Sequence, residues 1–175
     1  MIALCPESGI LSPVRRSIAV LLAVLACSVL AVRFDAGAVA QPVTLDNYFS
    51  NLTRPDSPNH WLIAPADFAI KPDAVAPVFE APVPVLIETF KTVVLRSEGA
   101  AVLAESANGM HVVATTPLMG FKDDIRALFI PVGQGWSTIA LYSASRVGYW
   151  DLGTNRRRAE DWLKQVQNAL ANKSR

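Results

Sequence analysis

Four apolar-alternating runs, joined in pairs by glycine turns, constrain this chain more than any other feature. Ala100 to Glu105 and Met110 to Thr116 flank Asn108-Gly109, and Asp124 to Val132 and Trp136 to Ser143 flank Gly133-Gln134-Gly135. Asn-Gly between alternating runs predicts a two-residue type I′ turn, because both central positions of that turn need positive φ. Two hairpins in succession predict a four-stranded antiparallel meander. In the last strand Ile139 and Leu141 point one way and Trp136, Thr138, Ala140 and Tyr142 the other. Between the middle strands, Pro117 and Gly120 within residues 117–124 predict a bent connection with a bulge.

A meander needs a cover for one face, and the sequence offers two amphipathic helices. Pro84 suits a first helical turn, and Leu86, Ile87, Phe90, Val93 and Val94 follow as one stripe before Gly99. From about Asn155 to Asn172 a second stripe is formed by Ala159, Trp162, Leu163, Val166 and Leu170. The fold class expected is therefore α+β: helix, meander, helix, over residues 84–175.

Residues 41–83 precede this core and are rich in proline, which removes backbone donors and biases its predecessor toward extended geometry. The segment reads as an arm laid over the domain and not as sheet. Trp61, Leu62, Ile63, Phe68, Ile70, Val78 and Phe79 give it side chains to dock with, unlike a disordered linker.

Residues 1–40 read as a targeting segment: Arg15-Arg16 precede a sixteen-residue apolar run, Ser17 to Val32. Ala38-Val39-Ala40 fits a cleavage site that would release a periplasmic domain. An uncut run 17–32 would instead hold it at the inner membrane and give membrane contact there, and Val24-Leu25-Ala26-Cys27 loosely resembles a lipoprotein box, though the apolar Ser28 to Val32 is wrong for a mature lipoprotein start. All three place the domain outside the cytoplasm. Both cysteines, Cys5 and Cys27, lie in this leader, so the rest has no disulfide and no cysteine chemistry. His60 and His111 have no second histidine at ligand spacing, which argues against zinc, and nothing calls for a cofactor. With Arg15, Arg16 and Arg33 set against Glu7 and Asp35, the residues after the leader carry no net charge, which gives no sign of nucleic-acid binding.

Polar, aromatic and backbone-special residues concentrate in Ser143 to Arg158. Arg156, Arg157 and Arg158 occupy the first turn of the last helix, where the macrodipole disfavours cations by a few tenths of a kcal/mol each. Glu160 and Asp161 offset part of this at i+4; the remainder calls for acidic partners or a bound anion. Two uses of the segment stand side by side. In the structural one, Gly148 and Gly153 supply unusual backbone angles, Asp151 caps the helix or pairs with Arg146, and Asp123 or Asp124 answers an arginine. In the binding one, Arg146, Tyr149, Asn155, Arg156 and Arg158 converge with the capping Asp151 on the helix N-terminus to hold an anionic small molecule, lipid head group or envelope protein. A small hydrolase using Ser143 or Ser145 and nearby carboxylates is the rival, but no Gly-x-Ser-x-Gly elbow is present. Asp123 and Asp124 are adjacent in a strand and point to opposite faces, so they cannot easily share one site. Trp61, Trp136, Trp150 and Trp162 could line an apolar pocket or simply pack the core.

The motifs Arg54-Pro-x-x-Pro-Asn59, Thr116-Pro-Leu118, Phe121-x-Asp-Asp124 and Ser143-x-Ser-Arg-x-Gly-Tyr-x-Asp-Leu-Gly-x-Asn-Arg-x-Arg158 resemble the bacterial and plastid family called domain of unknown function 1499. The resemblance spans roughly residues 45–170. It implies a compact envelope or lumenal domain behind a membrane signal and brings no assigned activity. Trp150 stands where the family has a small polar residue, and Thr154 where it has valine.

Overall fold

The computed structural model describes Leu45 and residues 47–173; the targeting segment lies outside the described residues. Residues 42–175 form one compact unit. After a short 3-10 turn at Phe49–Asn51, the elements are β1 (His60–Ala64), β2 (Ala74–Val75), α1 (Val83–Arg96), β3 (Ala100–Glu105), β4 (Gly109–Thr115), β5 (Lys122–Gly133), β6 (Trp136–Ser145) and α2 (Thr154–Lys173). Among the described residues no helix is long and apolar enough to cross a membrane.

The class is α+β, but the sheet is six-stranded and mixed, in the order β2-β1-β6-β5-β4-β3. The expected strands β3 to β6 pair with their neighbours antiparallel, yet the sheet continues past β6. Here the reading of residues 41–83 as an arm without sheet is corrected. β1 pairs antiparallel with β6 in the register Trp61↔Ser143 and Ile63↔Leu141, and β2 pairs parallel with β1. Proline excludes a ladder only where it sits. β1 lies between Pro58 and Pro65 and β2 between Pro72 and Pro77, so the prolines occupy the joins and leave both strands their donors.

β6 is buried along most of its length because both of its faces are covered. On one face α1 and α2 pack Leu86, Phe90, Val94, Trp162 and Val166 against Met110, Val112, Ile125, Phe129, Ile139 and Leu141. Phe90 stands edge-on to Phe129 at 5.6 Å and to Trp162 at 5.9 Å between ring centroids, and burying each such ring stabilises the fold by about 2–3 kcal/mol. On the other face the segment before β1 and the β1–β2 link lay Tyr48, Phe49, Leu52, Phe68 and Ile70 over Leu62, Ala64, Ala140 and Tyr142. The arm is thus cover for one face as well as an extension of the sheet.

Two local expectations change. The β3–β4 turn is not type I′: neither Asn108 nor Gly109 has positive φ, and Ser106 N–H donates to the Gly109 carbonyl at 2.9 Å across a longer turn. Gly109 is instead needed for closeness, since a Cβ there would lie 2.8 Å from Ser106 Oγ and 3.2 Å from Leu45 Cβ. The β4–β5 connection is bent but carries no bulge. It closes on itself through Thr116 N–H to the Phe121 carbonyl (2.8 Å) and Gly120 N–H to the Thr116 carbonyl (2.9 Å), so pairing resumes in step at Thr115↔Lys122. The register shifts fall at Val102/Ala104 and Pro131/Gly133.

Candidate functional site

β6 ends at Ser145 and α2 begins at Thr154, and the turn between them is fixed by one carboxylate and one amide. Asp151 caps α2: its Oδ2 accepts the Asn155 N–H at 2.7 Å and its Oδ1 the Gly153 N–H at 3.0 Å. Asn155 is fully buried. Its Nδ2 donates to the Asn59 carbonyl (2.9 Å), Ser145 Oγ (2.9 Å) and Asp151 Oδ2 (2.8 Å). Its Oδ1 accepts from Ser143 Oγ at 2.6 Å and Arg158 Nη1 at 3.1 Å. Asn59 returns the contact through its side-chain amide, which donates to the Gly148 carbonyl. β1, β6, the turn and α2 are therefore tied through a single buried amide.

The arginines are apportioned one by one, which corrects the expectation that they converge. Arg158 reaches Asp123 Oδ2 at 2.6 Å, with both side chains almost wholly buried. Arg146 lies across the sheet with Asp124, Nε to Oδ2 at 2.7 Å and Nη2 to Oδ1 at 2.9 Å. Arg156 pairs with Glu160 at 2.9 Å and stacks 5.1 Å above the Trp61 ring. Arg157 donates to the Leu152 carbonyl at 2.8 Å. Asp151 spends its oxygens on the cap and not on Arg146. Adjacent in β5, Asp123 and Asp124 answer arginines on opposite faces, as strand alternation requires.

The Arg146 guanidinium holds the Asp124 carboxyl down at about 2, against a smaller opposing effect of burial. His111 Nε2 also donates to Asp124 Oδ1 at 2.7 Å. Burial lowers the His111 pKa more than that contact raises it, so near neutrality the pair is a neutral imidazole on a carboxylate and not an ion pair. His60 is held elsewhere, by Arg54 and the Pro55 carbonyl. Among the described residues no three His, Cys, Asp or Glu side chains gather to hold a metal ion.

With the polar groups satisfied internally, the surface beside them is apolar. A groove of about 500 Å³ runs between the β4–β5 loop and the turn before α2, walled by Leu118, Met119, Phe121, Val147, Trp150 and Leu152, with Asp123, Ser145 and Asp151 also in its lining. Leu118 is 92% exposed, Leu152 78%, Trp150 72% and Tyr149 69%. Leu152 also takes a left-handed backbone (φ 54) between Asp151 and Gly153, a conformation unfavourable to any residue with a Cβ. A second hollow, of about 630 Å³, lies at the opposite end of the sheet beside Pro82, Phe129 and Trp136, remote from the buried amide.

Of the residues singled out from sequence, Asp123, Asp151, Asn155 and Arg158 come together, Gly148 joins them through its carbonyl, and Gly153 through its N–H. Arg146 and Asp124 form a separate pair, and Tyr149 and Arg156 stand outside the cluster. Sequence reasoning missed the contribution of residues 116–121 to the groove and the role of Asn59. The cue for Asn59 was its place in the motif around Arg54, a residue that binds Asp73 at 2.6 Å and so anchors the loop before β1. Of the tryptophans, Trp162 is core, Trp61 packs against it, and Trp136 and Trp150 are exposed at opposite ends.

A family model described as Protein of unknown function (DUF1499) matches residues 46–166. No curated protein matches the chain.

Proposed function

The chain belongs to the DUF1499 family, and from that premise we propose that it is a non-catalytic binding or assembly module of the bacterial cell envelope. Its binding surface is the groove between residues 116–121 and 146–154, and its ligand is an amphiphile with an apolar chain and an anionic end. The observation that carries this reading is the groove itself: large apolar side chains stand exposed around a rigid, internally satisfied floor. The anionic end follows from Lys122 and Arg157, exposed at either side of the loops. Arg158, held by Asp123, and Arg146, held by Asp124, keep the corner in shape and leave the ligand to these rim cations. Export rests on Arg15-Arg16 and the apolar run 17–32, which either leaves a periplasmic protein or keeps it at the inner membrane.

The hydrolase reading gains no base from either histidine. Ser143 Oγ is buried and donates to Asn155, His60 is held by Arg54, and His111 faces Asp124. Native mass spectrometry of the protein purified from its own membrane tests the binding proposal. A retained amphiphile is the expected result; protein that emerges bare after gentle extraction contradicts it.

A further inference from the structure

The two loops differ from an ordinary ligand pocket in pointing their largest apolar side chains outward. Leu118, Leu152 and Trp150 are mostly exposed, and together with Met119, Phe121 and Val147 they make one rim of large apolar side chains around the groove, and clustered exposure of this kind marks an interaction surface. We infer that this loop pair docks into the interfacial layer of an anionic lipid bilayer, with the leucines and Trp150 entering the acyl boundary and Lys122 and Arg157 meeting the head groups. The inference rests on the reading of the loops as the binding surface and commits that surface to a bilayer.

Four observations favour a bilayer over a protein partner. First, the residue types fit: leucine at the tips, Trp150 and Tyr149 beside them and cations at the base are the composition of interfacial segments. Second, a protein interface needs about one hydrogen bond per 100–200 Å², and this surface has few to offer. Asp123, Ser145 and Asp151 are engaged with Arg158, Asn155 and the α2 cap, and the Phe121 N–H is taken by Thr116 Oγ1. Third, Leu152 holds a left-handed backbone while its side chain remains in water. Its carbonyl accepts from Arg157, but the strained turn leaves a large apolar side chain with little internal packing and open to an outside contact. Fourth, twelve residues separate Val32, the end of the apolar run, from Leu45, where the described structure begins. A run retained in the bilayer therefore keeps the domain within roughly 45 Å of it, where a weak apolar contact is enough to dock.

The test uses the full chain with Cys5 and Cys27 replaced by serine, reconstituted in nanodiscs of phosphatidylethanolamine and phosphatidylglycerol. A nitroxide is placed at Leu118→Cys or Leu152→Cys, with Leu103→Cys, exposed on the edge strand β3, as reference. Electron paramagnetic resonance then compares collision with oxygen, which concentrates in lipid, and with a water-soluble nickel chelate. The expected result is oxygen contact exceeding nickel contact several-fold at positions 118 and 152, the reverse at 103, and a weaker contrast in phosphatidylcholine discs. Nickel contact at 118 and 152 equal to that at 103 overturns the bilayer proposal. If an amphiphile is nonetheless retained in native mass spectrometry and lost in Trp150→Asp, the loops remain a binding surface for a single molecule; if none is retained, both readings fall. Equal contrast in phosphatidylcholine overturns the anionic requirement.

Discussion

The side-chain amide of Asn155 donates to the main-chain carbonyl of Asn59 at 2.9 Å, across 96 residues of sequence. Asn59 lies just before β1 and Asn155 in the first turn of α2, so two distant stretches of the chain are parts of one buried joint. Removing that amide, as in Asn155→Ala, leaves the Ser143 hydroxyl proton without its acceptor, takes a donor from Ser145 Oγ, and leaves the Asn59 carbonyl only the Ser145 N–H. Each buried polar group left unsatisfied costs about 1–3 kcal/mol. Urea denaturation of Asn155→Ala is expected to show a loss of about 3 kcal/mol with an unchanged m value.

Arg158 and Asp123 form an almost fully buried ion pair. Deleting one member leaves the other charge uncompensated, so Arg158→Ala is expected to cost about 3–5 kcal/mol, whereas replacing both by apolar residues of similar volume recovers most of it. A double-mutant cycle of Arg158→Met and Asp123→Leu in guanidinium unfolding measures the coupling. A double-variant loss equal to the sum of the two single losses would mean that the pair is not what holds the corner.

Acid is expected to unfold the domain in two stages. His111 has a folded pKa below its usual 6.5 because burial penalises the imidazolium, so below 6.5 the unfolded chain binds the extra proton and stability falls with pH. Asp124, held at about 2 by Arg146, contributes stability that is complete above the unfolded carboxyl range near 4 and is lost as pH falls toward 2. Both effects carry the same sign. Thermal midpoints of His111→Gln between pH 7 and 3 should lose the first stage and keep the second.

Leu152 occupies a left-handed backbone that favours glycine. Relief of about 1–2 kcal/mol from the Cβ clash, less the greater entropy of glycine in the unfolded chain, predicts that Leu152→Gly stabilises the domain by about 0.5–1 kcal/mol while weakening ligand retention. Chemical denaturation and native mass spectrometry on the same preparation check both halves.

The parts of the fold legible in the sequence were those whose signals are local. Alternation located β3 to β6, helical spacing located α1 and α2, and Asp123 and Asp124 fell on opposite faces as their adjacency demands. β1 was hidden because its partner lies some eighty residues away, Trp61 against Ser143, and prolines dominate the local pattern around it. The apolar triplet Leu62-Ile63-Ala64 was the one cue to a strand buried on both faces. The separate pairing of the corner's arginines is hidden for the same reason. A run of three guanidinium groups is visible in sequence, but the carboxylate that takes Arg158 is contributed by a strand 35 residues earlier. The groove escaped because its two walls, residues 116–121 and 146–154, meet only after β5 and β6 have paired.

The most direct measurement compares wild type with the double variant Leu118→Asp/Trp150→Asp, both purified from the membrane, by thermal midpoint and by the amphiphile retained in native mass spectrometry. Both side chains are mostly exposed, and exposed substitutions ordinarily change stability by no more than about 0.5 kcal/mol. The account predicts a midpoint within about 3 °C of wild type and loss of the retained amphiphile. Retention at the wild-type level by the folded variant would contradict it.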